Sequence, residues 1–340
     1  MLNHIEPLLG KTLQELQAIA QEVGLPRFAG KQLAEWLYVR RATTFDEMTN
    51  ISLKGREALK ERYTIGRHAP IAEAISKDGT KKYLFRIGEQ FVESVYLPED
   101  DRATLCVSTQ AGCKMGCKFC MTGTLGFHGH LAAADILNQI FSIPDADTLT
   151  NIVYMGEGEP MDNLDNVLRS LEAMTSPWGC AWSPKRITIS SVGINKGLKR
   201  FIEESECHLA ISLHNPFAVE RQEIMPIEKV NHLSDVLALL KQYDWSHQRR
   251  VSFEYICWGG VNDTAKHANE LVRILKGIDC RINLIRFHAG VDQSFPNSNE
   301  KQMEWMRDYL TTKGITTTIR RSRGEDILAA CGMLVNALKS

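Results

Sequence analysis

The sequence predicts an α/β fold, a partial (β/α)6-type barrel preceded by a small helical domain. Three observations predict it. From residue 104 onward, short runs rich in β-branched residues alternate with longer stretches of helical apolar spacing. That is the pattern of parallel strands joined by right-handed crossovers. The chemically unusual residues come straight after those runs: GCKMGCKFC after the first, GEGEP after the second, SS after the third, SLH after the fourth and RFH after the sixth. Barrel enzymes assemble their sites at those C-terminal strand ends. The first seventy residues, by contrast, show helical periodicity.

Residues 12–25 and 29–41 space their apolar side chains as helices do, the second through Leu33, Trp36, Leu37 and Val39, and 45–64 continues in the same style. KKYLFRIG (81–88) and QFVESVYL (90–97) read as a β-hairpin. Strands are then expected at 104–109, 151–156, 186–191, 208–213, 250–256, 281–287 and 316–320. Helices are expected near 131–142, 163–174, 195–205, 232–243, 263–276 and 299–313, with a last one over 325–338. The expected domains are a helical accessory unit (1–70), a hairpin linker (71–100) and a barrel core with a C-terminal extension (101–340).

A chain of 340 residues, 44% hydrophobic and 24% charged, has the composition of a soluble globular protein with a large core. No apolar run is long enough to cross a bilayer, and the opening MLNHIEPLLGKTLQELQ has no signal-like apolar region, so a cytoplasmic protein without a membrane partner is expected. In a reducing compartment nine cysteines point to metal binding or catalysis rather than to a disulfide framework. Cys180, Cys207, Cys257 and Cys280 stand alone and read as small buried hydrophobes. The net charge of −1 gives no global argument for nucleic acid. Locally, residues 1–90 hold 14 Lys/Arg against 11 Asp/Glu, with Arg40, Arg41, Lys54, Arg56, Lys60, Arg62 and Arg67 close together, and Arg320, Arg321 and Arg323 form a second group.

The segment Gly112–Cys120 sets Cys113, Cys117 and Cys120 at C-x3-C-x2-C spacing. A structural zinc closes with four ligands, and neither a second C-x2-C nor an H-x3-H is present. Iron–sulfur clusters are also held by thiolates, normally four. Three would leave one iron open, the mark of a reactive rather than a structural metal site. Gly112, Gly116 and Gly123 let the backbone approach such a cluster closely. By spacing alone, Cys106 and Cys331 could be core thiols or a nucleophile with its redox partner, and Glu93 a solvated strand residue.

The C-x3-C-x2-C motif, with Phe119 before its third cysteine, resembles the signature of the radical S-adenosylmethionine (SAM) superfamily. GEGEP resembles that superfamily's glycine–glutamate segment, with Gly158 and Glu159 at the matching positions. LPRFAGKQLAEWLY, TTFDEMTNISL, VESVYLPEDDRATLCVSTQAGC, ITISSVGI, LAISLHNP, NLIRFHAG and RRSRGEDILAACG together resemble, over nearly the whole chain, the radical SAM RNA adenosine C2-methyltransferases of dual specificity for 23S rRNA and tRNA.

The resemblance implies a 4Fe–4S cluster on Cys113, Cys117 and Cys120, whose open iron chelates SAM. It implies SAM contacts at Gly158, Glu159, Ser190, Ser212, Leu213, His214 and the residue after the sixth strand, where this chain has His288 and some relatives Asn. It implies that Cys331 is methylated by one SAM, that a radical from a second SAM abstracts hydrogen from that methyl group, and that the carbon adds to adenine C2. Cys106 then forms a disulfide that releases the base, and Glu93 takes the C2 proton. Glu157 stands where Met is commoner and is expected to be peripheral. The implied partners are 23S rRNA, tRNA and a flavodoxin-type electron donor, with the enzyme a monomer. The alternative is methylation at adenine C8, of the antibiotic-resistance type, which shares the cysteine framework.

Overall fold

The computed structural model describes residues 5–246, 250–288 and 295–334. The N-terminal unit runs β1 (Glu6–Pro7), α1 (Leu13–Glu22), α2 (Ala29–Ala34), α3 (Leu53–Lys60) and β2 (Tyr63–Thr64), with β1 and β2 paired in parallel. Helix α1 starts where it does because Thr12 and Glu15 form a reciprocal capping box, and it buries Leu16, Ile19 and Ala20. Gly30 allows α2 to lie against α1: a Cβ there would meet Gln17 Cα at 2.6 Å. The expected helix over 29–41 exists but changes to a π-helical turn at Glu35–Val39, which buries Leu37 and Tyr38.

The remainder is built on one ten-stranded sheet. Its members are β3 (Ala72–Ile75), β4 (Lys81–Ile87), β5 (Gln90–Pro98), β6 (Ala103–Cys106), β9 (Asn151–Tyr154), β10 (Ile187–Ser191), β11 (His208–Ser212), β12 (Val251–Cys257), β13 (Cys280–Arg286) and β14 (Thr316–Ile319). A separate short pair, β7 (Gln110–Gly112) and β8 (Phe127–His130), brackets the cysteine loop and the small helix α4 (Met121–Thr124).

From β6 to β14 every neighbouring pair in the sheet is parallel, and each new strand adds to the same side. The crossovers carry α5 (Ala133–Phe141), α6 (Leu164–Thr175), α7 (Asn195–Glu204), α8 (Ala218–Ile224) with α9 (Leu233–Leu240), α10 (Ala265–Leu275) and α11 (Glu300–Thr312). These are the six β/α units expected from the alternation, each boundary lying within a few residues of the predicted one.

The predicted hairpin is β4–β5, and it continues the same sheet: β5 pairs antiparallel with β6, and β3 extends the edge. The sheet's two outer strands, β3 and β14, are bridged by the segment after β14. Gly324 N–H donates to Asp78 Oδ2 at 3.0 Å and Ser76 Oγ donates to Asp326 Oδ1 at 2.5 Å, both from the β3–β4 side.

The expected last helix over 325–338 does not form in its described part. A 3₁₀ turn at Glu325–Ile327 is flanked by Gly324 (φ +64°) and Leu328 (φ +53°), both left-handed. Left-handed residues end a right-handed helix, and the chain instead drapes over the barrel. The rest of that prediction, residues 335–338, lies outside the described residues.

Arg169 of α6 pairs with Glu15, and Arg41 pairs with Asp147 at 2.8 Å, so the N-terminal unit is fastened to the barrel's outer helices. One continuous apolar core runs through both parts, from Leu16 and Leu33 to Leu284 and Leu310. No helix among the described residues is long and apolar enough to cross a membrane.

Candidate active site

The loop after β7 carries the three thiols. Its path needs glycine at Gly112 (φ +69°), where a Cβ would stand 1.9 Å from the Gly126 carbonyl oxygen. Cys113 N–H donates to that same carbonyl at 2.9 Å, while Cys120 N–H donates to Cys117 O at 3.1 Å. All three cysteines line one cavity of about 150 Å³. Burial pushes the Cys113 thiol up to about 12 and raises Cys117 and Cys120 as well, each further raised by nearby negative charge. Three such groups are neutral until a metal supplies the charge that favours their thiolates.

Among the described residues, no group of three Cys, His, Asp or Glu side chains is placed to hold a metal ion. The three thiols line one cavity, and thiolates are the usual ligands of iron–sulfur clusters. The donor set, the glycine path and the shared cavity fit a 4Fe–4S cluster held by three cysteines.

The other wall of this cavity is made by strand ends. Gly158, Glu159, Ser190, Ser212 and His214 line it, as the sequence pattern predicts, together with Phe119 and Val192. Gly158 takes φ +97°, and a Cβ there would lie 2.5 Å from Gln110 Cβ. The Glu159 carboxylate accepts from Met161 N–H at 3.0 Å and Val192 N–H at 2.9 Å, fixing the end of β10. Burial pushes its pKa up to about 7, against those hydrogen bonds.

His214 adopts φ +54° and accepts from Ile256 N–H through Nδ1 at 3.1 Å, which assigns its proton to Nε2. Burial lowers its pKa to about 3, so it is neutral. Beneath these strand ends lies the fully buried Arg221. It donates to Val192 O, Ser212 O and Leu213 O at 3.0–3.1 Å and pairs with Glu228. Nothing in the sequence pattern singles out this lashing residue.

Leu213 and His288 are placed elsewhere. Leu213 is fully buried behind the wall, its N–H donating to Glu254 O at 3.0 Å. His288 lines a second, larger cavity and bonds Ser322 Oγ at 2.8 Å through Nε2.

That second cavity, of about 520 Å³, runs through the barrel from its N-terminal rim. Cys106 at the end of β6, Cys331 on the C-terminal segment and Val95 of β5 line it. Its rim carries Arg102, Lys185, Arg186, Arg250 and Arg281, all at the N-terminal ends of parallel strands. Both thiols are free. Burial pushes Cys106 up to about 12, the nearby Cys331 adds to the rise, and Arg320 opposes it.

The two cavities share a wall formed by Met155, Glu254, Ile285, Arg320, Cys331 and Gly332. Arg320 Nη1 lies 3.9 Å from Cys331 Sγ and 3.7 Å from Glu254 Oε2. The sequence shows Arg320 only as one member of a basic group, and Glu254 carries no signal at all.

Glu93 is fully buried on β5, paired with Lys82 Nζ at 3.0 Å, and lines neither cavity. It shares a face of that strand with Val95, two residues on. Glu157, expected to be peripheral, is also buried: its carboxylate accepts from Glu93 N–H at 2.8 Å and Gly112 N–H at 3.2 Å. It ties β5 to the start of the cysteine loop, a role invisible without the fold.

Residues 7–65 match the ribosomal RNA large subunit methyltransferase N-terminal domain, and 107–309 match the radical SAM superfamily. The chain is 57% identical to a probable dual-specificity RNA methyltransferase RlmN of Bacteroides thetaiotaomicron, over 97% of this chain and 96% of that protein. It is 60% identical to the probable RlmN of Porphyromonas gingivalis W83, over 96% of each chain. It superposes on the crystal structure of a radical SAM methyltransferase from Sphaerobacter thermophilus with a TM-score of 0.90 and 34% identity, over 97% of this chain and 99% of that one. With its three-thiol loop, its glycine–glutamate wall and a matching N-terminal unit, the chain belongs to the RlmN family of dual-specificity RNA methyltransferases within the radical SAM superfamily.

Proposed function

We propose that this protein methylates C2 of a specific adenosine in 23S rRNA and in tRNA, through an S-methylcysteine at Cys331 and with two SAM molecules per product. One observation carries the reading: Cys331 lies on the wall common to the cysteine-lined cavity and the cavity that holds Cys106. A sulfur in that position can meet SAM on one side and a base on the other.

The cluster and SAM, when bound, supply one-electron cleavage of a sulfonium bond. Cys113, Cys117 and Cys120 hold the cluster. Gly158, Glu159, Ser190, Ser212 and neutral His214 frame SAM, with Leu213 supporting them from behind, and His288 serves the larger cavity. Cys331 would take the methyl group of one SAM by displacement, lose one hydrogen atom from it to the radical that the second SAM supplies, and bond the resulting methylene carbon to adenine C2. Glu93 would take the C2 proton as the adduct gives up one electron to the oxidised cluster, and the Cys106 thiolate would then attack the Cys331 sulfur, forming the Cys106–Cys331 disulfide while the released methylene carbon takes up a proton to become the methyl group. The target base must leave its stack to reach this cavity.

The basic rim of the larger cavity supports RNA approach from the N-terminal strand ends, with residues 1–70 as an accessory RNA-binding domain, 71–100 as the hairpin joining it to the core and 101–340 as the barrel. A cytoplasmic monomer reduced by a flavodoxin-type donor completes the reading. The test is anaerobic reconstitution with iron, sulfide, SAM and dithionite, followed by mass spectrometry of digested RNA. 2-Methyladenosine is expected; 8-methyladenosine as the sole product overturns the assignment.

A further inference from the structure

Lys82 is a buried ionisable group to which the reading above gives no task. It lies on β4 and is 1% exposed. Its Nζ is 3.0 Å from Glu93 Oε1 and donates to the Leu328 carbonyl at 3.4 Å. An ammonium held out of water is costly, and an ion pair kept there is weak evidence for a purely stabilising role. Strands β4 and β5 do not need it: they are already paired from Lys81–Tyr96 through Ile87–Gln90. The third partner lies outside the sheet. Leu328 sits in a left-handed conformation three residues before Cys331, on the segment that closes the barrel.

We propose that Lys82 is a positioning residue that holds the Glu93 carboxylate just behind the wall of the larger cavity, on the strand face it shares with the lining residue Val95, with the Leu328 carbonyl anchoring the ammonium from the other side. This inference rests on the reading of Glu93 as proton acceptor. The Glu93 main chain is independently fixed by its N–H bond to Glu157, so Lys82 governs the side chain alone. The Cys331 segment keeps its other ties, from Gly324 to Asp78 and from Met121 to Gly332, when Lys82 is changed.

The test uses cluster-loaded Lys82→Met, which keeps the stem and removes the charge. Four results are expected. Mass spectrometry still finds the methyl group on Cys331 after exposure to SAM. RNA turnover falls by about 10²-fold, the scale of a misplaced general base. RNA carrying deuterium at C2 of the target adenosine slows the variant more than the wild type, and Lys82→Arg restores most of the rate. Loss of Cys331 methylation without any deuterium sensitivity overturns the proposal, since it marks a structural role.

If Lys82→Met folds poorly, Lys82→Met/Glu93→Gln removes both charges together. It is expected to turn over no slower than Glu93→Gln alone, and a further multiplicative loss overturns the proposal. Wild-type turnover in Glu93→Gln sinks the base assignment itself, an outcome distinct from failure of the Lys82 inference.

Discussion

Met121 donates its backbone N–H to the Gly332 carbonyl at 2.7 Å, joining the residue after the third cluster cysteine to the residue after Cys331. Thr122 Oγ1 adds a bond to Leu334 O at 3.0 Å. The cysteine loop and the segment carrying Cys331 are therefore tied to each other through their backbones. Removing iron and sulfide with a chelator is expected to raise amide hydrogen exchange at Met121. Thr122→Val is expected to cost about 1 kcal/mol of stability by denaturant titration, with the iron content retained. Exchange at Met121 that ignores the metal would show the two segments to be independent.

Gly112→Ala tests the loop path. The added methyl group must displace the Gly126 carbonyl, and alanine is strained at φ +69°. A loss of at least about 2 kcal/mol is expected from strain and overpacking together. Iron and sulfide content after reconstitution should fall sharply. Gly126→Ala, where a Cβ meets nothing within 4 Å but φ is +75°, should cost only the strain and keep more of the cluster.

The buried Glu159 gives a pH signature. Its folded pKa, about 7, lies above the unfolded carboxylate value. The folded state thus binds the proton more tightly, so this contribution is complete below pH ~4.5 and is lost as pH rises through 7. In metal-free protein, wild type should lose on the order of 2 kcal/mol more than Glu159→Gln between pH 5 and pH 8. Parallel urea midpoints for the two proteins across that window would contradict the burial argument.

The protein carries two basic surfaces, one on the N-terminal unit and one at the rim of the larger cavity. In the N-terminal unit, Arg40 is paired with Glu35, Arg41 with Asp147, and Arg56 donates to the Asp46 carbonyl. The cavity rim offers Arg250 and Arg281 at the N-terminal ends of β12 and β13. Arg250→Glu/Arg281→Glu is expected to weaken RNA binding and to lower the salt slope of log Kd by about 1 for each phosphate that is no longer neutralised. SAM cleavage without RNA should be unchanged. Charge reversal of Arg40, Arg41, Lys54 and Arg56 is expected to weaken affinity too, and equal binding by all these variants would leave the RNA surface elsewhere.

Cys106→Ala should hold the protein and its RNA together through Cys331, because the thiol that resolves the thioether is gone. A gel shift that survives denaturation and disappears on RNase treatment reads it. Free methylated RNA from that variant would remove Cys106 from the sequence of steps.

The barrel was legible because period-2 runs such as Ile187–Ser191 and helical stretches such as Leu164–Thr175 carry their own local signals. The cysteine loop was legible because its ligands are adjacent in sequence. What escaped detection depends on contacts between distant segments. Ile327, Ala330 and Leu334, at i, i+3 and i+7, look like one face of a helix. Their backbone is instead drawn across the barrel by Asp78, Lys82 and the cysteine loop, all of them hundreds of residues away. The short strands β3, β7 and β8 are too brief to show a period. Glu157, Lys82, Glu254 and Arg320 gain their partners only once strands far apart in sequence lie side by side.

The partition at Cys331 also bears on safety. A sulfur set in the dividing wall can be charged from one chamber and discharged into the other by turning a side chain. On the proposed reading, the ribose and phosphate of the RNA would stay on the Cys106 side of that wall, away from where the radical is generated. Strand scission, the hazard of hydrogen abstraction near a sugar, would then be avoided, because the group offered to the radical would be the methylated Cys331 and not the RNA.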